Sequence, residues 1–96
     1  MSYDQIVSID IKPGQADAFE AALAALKAKV EASETDTLAY RLFWVAGSEG
    51  SYRVIESYAS KAAAEQHMMN PAIRTEMRAL GALMAGPPTF EILEAC

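Results

Sequence analysis

Cysteine and histidine each occur once in this chain, as Cys96 and His67. A zinc or iron centre built from protein ligands needs several such residues at fixed spacing. No carboxylate pair stands at ligand spacing beside either one, so no resident metal is expected. A lone cysteine closes no internal disulfide, and Cys96 is left with cross-linking two chains on oxidation as its redox chemistry. Basic residues are scarce too. Eight lysines and arginines stand against 13 aspartates and glutamates, a formal net charge of −5, and the eight are scattered. A phosphate backbone finds no footprint there, which argues against a nucleic-acid partner. No apolar run approaches the roughly 20 residues of a membrane span. Met1-Ser2-Tyr3-Asp4 also lacks the basic-then-apolar order of a secretory leader. A soluble cytoplasmic protein is therefore expected. No Gly-x-Ser-x-Gly elbow occurs, and Gly47-Ser48-Glu49-Gly50 lacks the lysine and the strand-to-helix setting of a phosphate-binding loop.

What is present is apolar and periodic. With 52% hydrophobic residues in 96, the chain suits one compact domain over residues 1–96, with a modest core that a partner subunit would enlarge. Tyr3 to Ile11 alternates, with Val7, Ile9 and Ile11 on one face and Asp4, Ser8 and Asp10 sharing the other with Ile6, and this predicts a strand. Pro13-Gly14 interrupts it. Ala16, Phe19, Leu23, Leu26 and Val30 then recur at spacings of three and four, which predicts a helix ending near Glu34. A second strand is predicted over Leu38 to Ala46. Leu38, Tyr40, Leu42 and Trp44 point one way and Ala39, Phe43 and Val45 the other, accompanied by Arg41, so both faces read as buried. A chain this short has no third layer to cover the second face, and a second copy of itself is the simplest cover.

Gly47-Ser48-Glu49-Gly50 predicts a hairpin loop to a third strand, Tyr52 to Tyr58. A turn centred on Ser48-Glu49 sets Arg41 opposite Glu56, on a face with Phe43, Val54 and Tyr58. Ser60 is a good N-cap for a helix over Lys61 to Met69. Asn70-Pro71 stops that helix and starts another, whose stripe is Ile73, Met77, Leu80 and Met84. Gly86-Pro87-Pro88 ends it, and Thr89 to Glu94 forms a last strand with Phe90 and Ile92 on one side. The order is βαββαβ with a broken second helix. Short connections and the right-handed crossover rule make this an α+β, ferredoxin-like antiparallel sheet with its helices on one face.

The strand ending Glu56-Ser57-Tyr58, followed by Ser60, Ala62 to Ala64, His67 and a proline-started second half, resembles the antibiotic biosynthesis monooxygenase superfamily, over nearly the whole chain. That resemblance implies a homodimeric α/β barrel in which two ferredoxin-like subunits join sheet to sheet, each with a cavity between its sheet and its helices. Several members oxidise quinols or aromatic polyketides with molecular oxygen and no cofactor, others degrade haem, and many have no known activity. Glu56 and His67 match the family's glutamate late in the third strand and histidine in the following helix. Tyr58 stands where members often carry tryptophan. The haem-degrading branch uses an asparagine in the first strand, and Tyr3 to Ile11 has none.

Cofactor-free oxygenation asks the protein to bind, desolvate and move protons, because a deprotonated phenol or anthrone can itself reduce oxygen by one electron. His67 is the candidate catalytic base, since histidine titrates near neutrality, and such a step is worth roughly two to four powers of ten in rate. Tyr58 is a candidate donor to a carbonyl or oxyanion. Glu56 either orients His67 or pairs with Arg41. Trp44, Phe43, Met68 and Arg41 are the substrate-binding candidates, with the aromatic residues and Met68-Met69 walling a flat apolar molecule. Each has a plainer reading: a satisfied core histidine, a structural ion pair at a dimer seam, and core or interface aromatics. Two functions stay open, a monooxygenase acting on a small aromatic or quinol, and a non-enzymatic small-molecule-binding or stress-associated dimer of the same fold.

Overall fold

The computed structural model of the protein describes residues 2–96. Strand β1 spans Tyr3–Asp10, helix α1 Ala16–Ser33, strand β2 Thr37–Trp44, strand β3 Ser51–Tyr58, helix α2 Lys61–Met69, helix α3 Arg74–Leu83 and strand β4 Thr89–Leu93. One turn of 3-10 helix, Pro71–Ile73, separates α2 from α3. The strands form one antiparallel sheet in the order β2-β3-β1-β4. The expected βαββαβ order and ferredoxin-like architecture are what the chain adopts.

Period-two alternation decides which side of the sheet the helices cover. Val7 and Ile9 of β1, Tyr40 of β2 and Tyr52 and Val54 of β3 are buried with Phe19, Leu23, Leu26 and Val30 of α1 and Leu80 of α3 in one core. Fully burying each large apolar side chain contributes about 1.5–3 kcal/mol. The Phe19 ring meets that of Tyr52 at 4.8 Å between centroids, anchoring α1 over the middle of the sheet. The loop from β2 to β3 needs glycine at its end. Gly50 sits at φ 132, and a Cβ there would lie 2.9 Å from the Ile11 side chain.

The hairpin register differs from the expected one by a single residue. Tyr40 pairs with Glu56 and Arg41 with Ile55, so Glu56 joins the helix-covered face while Arg41 and Phe43 lie on the opposite one. The loop residues are those expected, but the turn closes one residue earlier, and a one-residue slip moves every side chain to the other face. Instead of pairing with Glu56, the Arg41 guanidinium stacks on Phe43, 4.8 Å from its centroid. The second strand is also less buried in the single chain than its composition suggests. A bulge between Thr37 and Ala39 interrupts the alternation, and Leu38, Phe43 and Trp44 are all exposed.

Candidate functional site

The site begins with the way α2 is started and stopped. Ser60 accepts a hydrogen bond from the Ala63 amide at 3.1 Å, the N-cap expected of it. Ten residues later Asn70 ends the helix and caps the next turn, its Oδ1 accepting from the Ala72 amide at 3.0 Å with Pro71 in the first helical position. Between the two caps, Ala63, Ala64 and His67 share the buried side. The alanines take little room, so the helix lies close to the sheet and the imidazole is the one large group it sends inward.

His67 is 2% exposed, with the rings of Tyr40 and Tyr58 each 5.4 Å from its own. Its Nδ1 lies 2.9 Å from Glu34 Oε1 and 3.0 Å from Oε2. Glu34, at the end of α1, also accepts from Thr37 Oγ1 at 2.5 Å and from Asn70 Nδ2 at 2.8 Å. Burial works to raise the Glu34 carboxyl, but the hydrogen bonds from Asn70, Thr37 and His67 outweigh it and hold the group below the ordinary carboxylate range. An ionised carboxylate has no hydrogen to give, so Nδ1 of His67 is the donor.

A second polar cluster lies on the sheet beneath the imidazole. Glu56 Oε1 accepts from Gln5 Nε2 at 2.8 Å and from the Tyr58 hydroxyl. Burial pushes the Glu56 carboxyl up, and these two hydrogen bonds only partly oppose it. The Tyr40 and Tyr58 hydroxyls are raised beyond the ordinary phenol range, first by burial and then by the nearby Glu56 charge, so both stay protonated. Two carboxyl groups in one region are thus driven in opposite directions by their surroundings, a pattern suited to separate acid and base roles.

Two spaces meet at His67. A cavity of about 250 Å³ between the sheet and helices α2 and α3 is walled mainly by apolar side chains, Val7, Val54, Met77, Leu80 and Phe90 among them, with Tyr40, Glu56 and His67 as its chemically active lining. An outer groove of about 440 Å³ carries Glu34, Asp36, Gln66 and Asn70 together with His67. The imidazole lines both, so it stands as a wall between the apolar interior and the polar groove. Met68 and Phe90 line the cavity and also a second pocket with Tyr3 and Lys61. Among the described residues no group of three or more histidine, cysteine, aspartate or glutamate side chains is placed to hold a metal ion.

Of the residues singled out in the sequence, His67, Glu56 and Tyr58 converge on this region and Met68 stands at its margin. Arg41, Phe43 and Trp44 are not gathered around the cavity. The register places Arg41 and Phe43 on the outer face, and Trp44 sits at the far end of β2, opposite Tyr52 and 54% exposed. Met69, paired with Met68 in the sequence reading, is exposed. The carboxylate within hydrogen-bond distance of His67 is that of Glu34, not Glu56. Gln5, Glu34, Tyr40 and Asn70 were missed as site residues. Gln5 had a legible signal, a polar side chain in phase with Val7 and Ile9 on a face otherwise apolar. Glu34 had none, because its contact with His67 spans 33 positions.

The sequence model for antibiotic biosynthesis monooxygenases matches residues 3–79. The chain belongs to that family. Among solved structures it is similar to a Caulobacter crescentus protein assigned to antibiotic biosynthesis monooxygenases, with 34% identity, a TM-score of 0.92, and coverage of 99% of this chain and 90% of that one. A Pseudomonas aeruginosa protein is 26% identical with a TM-score of 0.85, covering 99% and 94%. SnoaB of Streptomyces nogalater, a cofactor-independent oxygenase, is 18% identical with a TM-score of 0.86, covering 99% and 93%, a likeness of fold. No curated protein matches the sequence. Tyr40, Glu56 and Tyr58 meet α2 at the end of the β2–β3 hairpin away from its loop. No helix among the described residues is long and apolar enough to cross a membrane.

Proposed function

We propose that this protein is a cofactor-independent monooxygenase that oxidises a small aromatic or quinol substrate with molecular oxygen, working as a homodimer. The observation that carries the reading is His67 in the wall of the apolar cavity of about 250 Å³, with one ring nitrogen committed to Glu34 and the other not engaged by any described residue. Such a space excludes water from a flat ligand and supplies one base.

The chemistry balances without a resident cofactor. His67 takes the proton of a substrate hydroxyl, and the O–H electron pair stays on the substrate. The anion gives one electron to oxygen, forming a substrate radical and superoxide. These join in a C–O bond, the peroxide anion takes back the proton held by His67, and the hydroperoxide loses water with a hydrogen of the same carbon to leave a carbonyl. One oxygen atom ends in the product and one in water, and the substrate is the reductant throughout. Burial in an apolar cavity opposes forming the charged phenolate, so a dipole in the wall must offset that cost, and the protonated Tyr40 hydroxyl supplies one.

The homodimer reading rests on the sheet face that the helices leave bare. Phe43, Ile55 and Leu93 lie there at 38%, 40% and 42% exposure, beside the half-buried Ile6. A second copy of the same face covers them symmetrically.

Oxygen uptake by chelator-treated protein tests the function, with dihydronaphthoquinols, catechols and anthrones as substrates and His67→Ala in parallel. Uptake above the autoxidation blank that falls by about 100-fold or more in the variant is expected. Uptake absent across all three classes, with binding of the same molecules retained, would replace the enzyme with a small-molecule-binding dimer.

A further inference from the structure

His67 is the chain's single histidine, and its two ring nitrogens face different surroundings. Nδ1 meets the Glu34 carboxylate, whose other partners, Thr37 and Asn70, both donate to it. A carboxylate that receives from every side favours its ionised form, and it biases where the neighbouring imidazole carries its hydrogen. The titratable groups facing the ring are Glu34 from the end of α1, Tyr40 from β2, and Glu56 and Tyr58 from β3. Of these only Glu34 touches a ring nitrogen within hydrogen-bond distance.

We propose that Glu34 is the positioning residue of this site: it fixes the neutral His67 with hydrogen on Nδ1, leaving Nε2 free on the cavity side to accept the substrate proton. The inference rests on the monooxygenase reading for the second half of that statement and on geometry alone for the first. When the substrate O–H bond breaks and the Nε2–H bond forms, the imidazolium lies against a carboxylate already in place, so the new positive charge is balanced with no rearrangement. Thr37 and Asn70 complete the arrangement by holding Glu34 itself. Asn70 does so from the residue that ends α2, so the break at Asn70-Pro71 and the orientation of His67 have one cause.

The test uses nitrogen-15-labelled protein and long-range proton–nitrogen correlation spectra, in which a single histidine gives one unambiguous pattern. In the wild type at a pH where the ring is neutral, a protonated-type Nδ1 and a bare-type Nε2 are expected. Glu34→Ala should lose this preference and move towards hydrogen on Nε2. Glu34→Gln keeps an acceptor at the same place and should retain it, which separates positioning from a folding defect in the alanine variant. Hydrogen on Nε2 in the wild type, or an unchanged pattern in a folded Glu34→Ala, overturns the proposal. The spectra need no substrate, so they decide it even where oxygen uptake fails. Where uptake is measurable, Glu34→Ala should lower kcat about tenfold or more with a smaller change in KM, and an equal kcat would remove the catalytic half.

Discussion

The imidazole of His67 and the carboxylate of Glu34 share a hydrogen-bonded contact, 2.9 Å and 3.0 Å to the two oxygens, that joins the end of α1 to α2. Because the folded state holds Glu34 below its ordinary value of 4.5, the unfolded chain binds its proton more readily. Its contribution to stability is therefore present above that value and is lost as pH falls through the lower folded one. Urea unfolding midpoints should decline on acidification below about pH 4.5, and part of that decline should vanish in Glu34→Gln. An acid slope identical in the two proteins would assign the loss to other carboxylates.

Glu56 carries the opposite sign. Burial raises its folded value, so its stabilising effect is complete below the ordinary 4.5 and is lost as pH rises through the raised one. Glu56→Gln keeps an acceptor for Gln5 and Tyr58 while removing the charge that burial penalises. The variant should unfold at higher urea than the wild type at pH 8 and at about the same urea at pH 4. A variant less stable than the wild type at both would mean that the amide breaks the Gln5–Glu56–Tyr58 cluster.

Much of this was legible in the sequence because it is local. Period-two and period-3.6 patterns place β1, α1 and β3 within a residue or two, and Ser60 and Asn70-Pro71 mark helix boundaries by the hydrogen bonds their side chains make. What failed was pairing. Arg41 opposite Glu56 is an attractive charge match, yet the hairpin closes one residue away from it, and no local signal distinguishes the two registers. The same slip removes Arg41 and Phe43 from the cavity. Glu34 was legible as the end of a helix and not as a partner of His67, since only the packing of α1 beside α2 brings them together.

The Ser60 cap offers a test of how firmly α2 holds its histidine. Its side chain satisfies the Ala63 amide, one of the unpaired donors at the start of a nine-residue helix. Ser60→Ala should cost about 1 kcal/mol of unfolding free energy, read as a lower urea midpoint. Ser60→Asp should recover most of it, because a carboxylate accepts the same bond and suits the positive end of the helix. Equal stability for serine and alanine would mean that solvent replaces the cap.

The bare sheet face makes the proposed dimer accountable to one position. Ile55 is the apolar residue on the outward face of β3, opposite Arg41 and Ile6, near the middle of the sheet. In a two-fold interface a charge placed there is placed twice. Ile55→Asp should weaken association at least about tenfold, or roughly 1.4 kcal/mol, in sedimentation velocity across micromolar concentrations. A wild type that sediments as a monomer would remove the interface altogether, and an Ile55→Asp protein as dimeric as the wild type would move it to another surface.

Gly81 shows that the cavity wall is not optimised for stability. It lies within α3 and lines the cavity, and a Cβ added to it would meet nothing within 4 Å. Its backbone is helical, so the glycine has no conformational need to be there, and glycine in a helix costs roughly 0.5–1 kcal/mol relative to alanine. Gly81→Ala should therefore raise the unfolding free energy by about that amount at neutral pH, measured by urea titration. If the cavity is where substrate is held, the same methyl group reduces its free volume and should raise KM for the bulkiest substrate before it alters kcat. A variant that gains stability with KM unchanged for large and small substrates alike would place the bound ligand away from α3, nearer Tyr40 and the sheet.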